Sequence, residues 1–130
     1  MAKILIIEDD DLLRDVLAKS LELAGHHVVQ AGNGQEGVDL YRASPAELVI
    51  TDLVMPIQEG VETIMQLRRF RSDLPIVAMS GGVPNAKLYL SIAGRIGAHR
   101  ILAKPFTPHH LIAVVNDMLG IAPVSLAASA

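Results

Sequence analysis

Short apolar runs recur along the chain, and each gives way to a stretch in which apolar residues fall three and four positions apart. The runs are Lys3–Ile7, Val28–Ala31, Leu48–Thr51, Ile76–Met79 and Ile101–Ala103. Their length predicts strands, and their lack of polar alternation predicts that both faces are covered. After Asp10 or Asp11 as N-cap, Leu13, Val16, Leu17, Leu21 and Ala24 keep helical spacing until Gly25. Asn33 with Glu36 resembles a capping box that opens a helix through Val38 and Tyr41. A third helix is predicted around Val61, Ile64, Met65 and Arg68, ahead of Pro75. Tyr89, Ile92, Ala93 and Ile96 mark a fourth, closed by Gly97. Thr107-Pro108 is an N-cap and first-turn pair for a fifth, with Leu111, Val115, Met118 and Leu119 inward and Gly120 after it. Five such β-α units predict an α/β domain, a doubly wound parallel sheet with right-handed crossovers and helices on both faces.

Composition narrows what this domain can be. The 130 residues suit one domain. Aromatics make up only 3%, so Leu, Ile, Val and Ala must fill the core. The absence of cysteine excludes disulfides, thiolate metal sites and a Cys nucleophile. A net charge of -3 argues against general nucleic-acid affinity, which needs a basic stripe. No apolar run approaches the ~20 residues of a membrane-spanning helix, and the apolar stretch after Lys3 is too short for a secretory signal. The expectation is a cytoplasmic protein without membrane insertion. The domain is placed at residues 1–120, with 121–130 as a frayed C-terminal tail.

In such a sheet the carboxyl ends of the strands share one crevice, where ligands bind. The first strand runs into Glu8-Asp9-Asp10-Asp11, the third into Asp52, the fourth into Ser80-Gly81-Gly82 and the fifth into Lys104-Pro105. Each piece alone carries little; an acidic run, for instance, is favoured at any helix N-terminus. Their conjunction carries more. Carboxylates at close range repel, and one takes up a proton unless a cation intervenes. Oxygen ligands without His or Cys point to Mg²⁺, which commonly shares its shell with a phosphate. Lys104 is a compact cation suited to a phosphoryl oxygen, and the Ser80 hydroxyl can hydrogen-bond one. The chemistry that suits the set is an aspartyl phosphate.

At these residues the chain resembles the receiver domain of bacterial two-component response regulators, over about residues 3–120. The matching motifs are the acidic pair Glu8-Asp9, Asp52-Leu53-Val54-Met55-Pro56, Ser80, and Lys104-Pro105-Phe106. The resemblance implies a flavodoxin-like fold with five strands in the order 2-1-3-4-5 and five helices. It implies that Asp52 is the phosphoacceptor, that Asp9 and Asp52 ligate Mg²⁺, that Glu8 acts through a bound water, and that the Val54 carbonyl completes the protein ligands. Ser80 would follow the phosphoryl group and Lys104 would pair with it. The implied phosphodonor is a sensor histidine kinase or a histidine phosphotransfer protein. The implied role is regulatory rather than enzymatic: a change of the face formed by helix four, strand five and helix five. Since 130 residues leave no room for an effector domain, the expected output is contact with a downstream protein or passage of phosphate through a relay, and not DNA binding.

Departures from the family pattern concern the readout. Ile101 stands three residues before Lys104, where an aromatic that turns inward on activation is usual. Glu8 replaces the commoner Asp, and Val54 and Gly82 offer no side chain to orient an attacking water. His26, His27, His109 and His110 are expected at the surface, His99 on the signalling side, and none as a metal ligand. Rival readings are weaker. A haloacid-dehalogenase-type phosphatase matches the Asp9-Asp10-Asp11 spacing but needs room for a cap. A flavin or nucleotide binder needs a Gly-rich or Ser/Thr-rich loop where Glu8-Asp9-Asp10 would repel phosphate. A receiver that works without phosphate has no need of the complete acidic set and Lys104.

Overall fold

A computed structural model of the chain describes residues 2–53, 57–80, 91, 95 and 98–121. Five parallel strands, β1 (Lys3–Ile7), β2 (His27–Ala31), β3 (Leu48–Asp52), β4 (Ile76–Ser80) and β5 (Arg100–Ala103), lie in the order 2-1-3-4-5. Helices α1 (Asp11–Leu23), α2 (Gly34–Ala43), α3 (Ile57–Phe70) and a C-terminal helix (Pro108–Met118) cover the sheet. Ser91 and Arg95 are also helical, within the fourth predicted helix. Tyr89, Ile92, Ala93, Ile96 and Gly97 of that helix lie outside the described residues, as do Val54, Gly81, Gly82 and residues 122–130.

The unalternating strands have their explanation in the two-sided core. Leu5 and Ile7 join Val38, Tyr41, Val49, Ile64 and Leu67 under α2 and α3. Ile4 and Ile6, pointing the other way, join Leu17, Leu21, Ile50, Leu111 and Val115 under α1 and the C-terminal helix. Helix starts follow the local chemistry. The Asp10 side chain accepts from the Leu13 N–H, Asn33 from Glu36 and Thr107 from His110. Gly25 and Gly120, just past two helix ends, take positive φ (98° and 71°), which side-chain-bearing residues rarely adopt. Val16 and Met65 keep helical spacing yet are 42% and 46% exposed. The apolar stripes of α1 and α3 are thus wider than the surfaces they cover.

Registers place the strand ends. Ile7 pairs with Thr51, Asp52 with Met79, and Ser80 with Ala103. Glu8 and Asp52 therefore leave neighbouring strands at nearly the same level, and Lys104 emerges one residue past the end of β5.

Candidate functional site

Because all five strands run the same way, the acids and the lysine collect at one edge of the sheet. Ligand oxygens of Glu8, Asp9 and Asp52 lie within 4.8 Å of one another. Glu8 and Asp52 are buried, whereas Asp9 faces solvent. The Lys104 ammonium donates to Glu8 Oε1 at 2.5 Å and to Asp52 Oδ2 at 3.0 Å. Its backbone N–H donates to the Ser80 carbonyl at 2.6 Å, tying the ends of β4 and β5 together. The Lys104-Pro105 peptide bond is cis. Ser80 is buried at the end of β4, one residue beyond the partner of Asp52.

The electrostatics follow from burying more negative than positive charge. Glu8 is pushed up from 4.5 to about 7, chiefly by burial and then by its hydrogen bond with Asp52, while Lys104 pulls the other way. Burial works to lower the Lys104 pKa, but hydrogen bonds to Glu8 and Asp52 outweigh it and hold the ammonium above its usual value.

The structure thus brings together Glu8, Asp9, Asp52 and Lys104 and sets Ser80 on the adjoining strand end. Val54 lies outside the described residues. Ile101, opposite Ala78, is partly buried against the core on the α2–α3 side. Among the histidines, His27, His99, His109 and His110 are exposed, but the surface expectation fails for His26. Its ring is buried, with Nε2 2.9 Å from Asn116 Oδ1 and Nδ1 accepting from the Ala2 N–H at 3.4 Å. Adjacent residues of an extended chain point apart, so one of the pair 26–27 had to turn inward. Two further residues, Gly60 and Arg14, shape the site without belonging to any of the motifs. A Cβ on Gly60 would stand 3.1 Å from the Asp52 carbonyl oxygen and 3.2 Å from Leu53 Cα, both backbone atoms, so any larger residue would push α3 and the end of β3 apart by a few tenths of an ångström. Arg14 donates to the carbonyl of Glu8; its helical spacing from the N-cap Asp10 and from Asp11 at the start of α1 was the available signal.

Among the described residues no helix is long and apolar enough to cross a membrane. The family model of the response regulator receiver domain matches residues 4–116. The response regulator receiver protein CpdR of Brucella abortus is 34% identical over 119 residues, covering 92% of this chain and 98% of CpdR. The DNA-binding transcriptional regulator NtrC of Azospirillum brasilense is 35% identical over 118 residues, or 91% of this chain, which spans only 24% of NtrC. The crystal structure of Vibrio cholerae chemotaxis protein CheY4 superposes with a TM-score of 0.82 at 26% identity, covering 91% of this chain and 98% of CheY4.

Proposed function

Since the chain belongs to the response regulator receiver domain family, we propose that it accepts a phosphoryl group on Asp52 and relays that event through its surface. One observation supports this above the rest: a buried Asp52 at a strand end shares one lysine with Glu8 and lies within 4.8 Å of the carboxylates of Glu8 and Asp9.

The donor set fits a divalent cation. Three carboxylates in one group, with no His or Cys among them, are the hard oxygen ligands that Mg²⁺ prefers. Asp9 and Asp52 would hold the ion directly, Glu8 through a water, and the Val54 carbonyl would add a backbone ligand. When bound, it offsets the carboxylate charge and that of the incoming phosphoryl oxygens.

A carboxylate oxygen of Asp52 attacks phosphorus. The P–N bond of a phosphohistidine on a histidine kinase or phosphotransfer protein breaks, the imidazole nitrogen leaves and takes up a proton, and an aspartyl phosphate remains. Lys104, already 3.0 Å from Asp52 Oδ2, exchanges part of its carboxylate contact for a phosphoryl oxygen. Ser80 hydrogen-bonds another phosphoryl oxygen and draws the end of β4 with it. Ile101 on β5 responds by changing rotamer, an aliphatic step where relatives of the usual pattern use an aromatic ring. The downstream reader is a protein that docks on the face containing β5.

The test is intact-mass analysis after incubation with Mg²⁺ and a small acyl phosphate. One base-labile phosphoryl adduct is expected, lost in Asp52→Asn and lost when a chelator removes Mg²⁺. An adduct that persists in Asp52→Asn would overturn the assignment.

A further inference from the structure

The Glu8–Asp9 turn is held by a residue outside the acidic set. The Glu8 N–H still donates to Ala31 of β2 at 3.1 Å, so Glu8 is the last rung of the β1–β2 ladder. Its carbonyl accepts from Arg14 Nη1 at 2.7 Å. The same guanidinium donates through Nη2 to Asp11 Oδ1 at 2.7 Å and through Nε to Gln30 Oε1 at 3.3 Å. It lies beside Gly32, where an added Cβ would stand 3.5 Å from Nη1. The Arg14 side chain is only 17% exposed, so it is packed into this position and does not sample solvent freely.

A surface ion pair with Asp11, which is 89% exposed, would be worth little and would need neither the burial nor the other two acceptors. The fork explains all three contacts. Arg14 spans the end of β1, the first turn of α1 and the end of β2, and so fixes the plane of the Glu8–Asp9 peptide. That plane sets where the Glu8 carboxylate and the Asp9 side chain point. Below it, the Asp10 N–H donates to Glu8 Oε2 at 3.3 Å, and Lys104 takes Oε1. A lysine at position 14 would keep the charge but satisfy no more than part of this set, because an ammonium is a point donor without the planar fork.

We infer that Arg14 is a positioning residue for the Mg²⁺ site: it holds the Glu8–Asp9 turn in the shape that binds the cation. This rests on the proposed receiver chemistry for the identity of the metal. Loss of a partner that orients metal ligands typically weakens affinity 10–100-fold. For Arg14, which acts through backbone, the low end is expected.

The experiment titrates Mg²⁺ into wild type, Arg14→Lys and Arg14→Met, following backbone amide shifts of residues 8–11 by NMR, with melting curves recorded in chelator. Both variants are expected to bind Mg²⁺ about tenfold more weakly, at the low end for outer partners, with Lys no better than Met and with metal-free folding retained. Adduct formation at saturating Mg²⁺ is expected to return close to the wild-type rate. Wild-type affinity in Arg14→Lys would show that charge alone matters and would overturn the inference, as would unchanged affinity in both variants. Should Arg14→Met fail to fold, Arg14→Lys decides. Wild type that binds Mg²⁺ but forms no adduct on Asp52 sinks the receiver chemistry and leaves the role of Arg14 standing. Wild type without Mg²⁺ affinity sinks the role of Arg14.

Discussion

Replacing Glu8 by Gln is expected to stabilise the metal-free protein near neutral pH. Glu8 is fully buried, and its carboxyl is raised from 4.5 to about 7 by burial, with Asp52 adding to the effect. A carboxyl with a raised folded-state pKa binds its proton more tightly in the folded state than in the unfolded chain. Stability is then lost as pH rises through the window from 4.5 to about 7, and is flat above it. At about 1.36 kcal/mol per pKa unit, ionising Glu8 costs the fold on the order of 3 kcal/mol above that window. Gln keeps the size and the neutrality of the protonated acid but has one acceptor oxygen where Glu8 accepts from both Lys104 and the Asp10 N–H. Near pH 8 the variant therefore gains part of this amount, at most roughly 10 °C in melting temperature for a domain of this size. Thermal melts followed by circular dichroism in chelator, between roughly pH 5 and pH 8, read the effect directly. Wild type is expected to lose stability across the range and Glu8→Gln to lose much less, with the two curves meeting near the acid end. Excess Mg²⁺ is then expected to stabilise wild type more than the variant at high pH, because the ion relieves charge that only wild type carries. A Glu8→Gln protein less stable than wild type in chelator near pH 8, or parallel pH profiles, would refute the reasoning.

Lys104→Ala is expected still to accept phosphate on Asp52 but to bind its downstream protein poorly when phosphorylated; equal binding by the phosphorylated variant and wild type would count against the assigned role. Gly60→Ala inserts a methyl group 3.1 Å from the Asp52 carbonyl oxygen. It is expected to destabilise the fold by about 1–3 kcal/mol, as overpacking does, and to slow adduct formation; a variant unchanged in both denaturant midpoint and rate would show that α3 can shift freely. Asn116→Ala leaves the buried His26 ring without its Nε2 partner, and a loss of about 1–3 kcal/mol in chemical denaturation is expected for an unsatisfied buried polar group.

Much of this protein was legible in its sequence because the signals are local. All five strands fall within one residue of the positions their apolar runs predict, Asn33 and Thr107 cap the helices they were expected to open, and of the two candidates Asp10 and Asp11 it is Asp10 that caps α1. Side-chain alternation and hydrogen bonds three residues apart need no knowledge of the rest of the chain. The gathering of Glu8, Asp9, Asp52 and Lys104 was also foreseeable, since parallel strands bring their carboxyl ends to one edge whatever their detailed packing. Tertiary structure decided how these groups meet. Lys104 reaches Glu8 across 96 positions, and burial with Asp52 raises that acid to about 7, an effect that depends on the low-dielectric surroundings and not on residue type. Arg14 reads as a helix-surface residue until β2 supplies Gln30, and the position just past that strand supplies a side-chain-free Gly32 beside it. His26 lies inside because the C-terminal helix brings Asn116 to it, and Val16 and Met65 lie outside because no element among the described residues covers them. Periodicity sets which faces are available for burial; the packing of distant elements sets which of them are filled, and with that the charge and hydrogen bonding of each site residue.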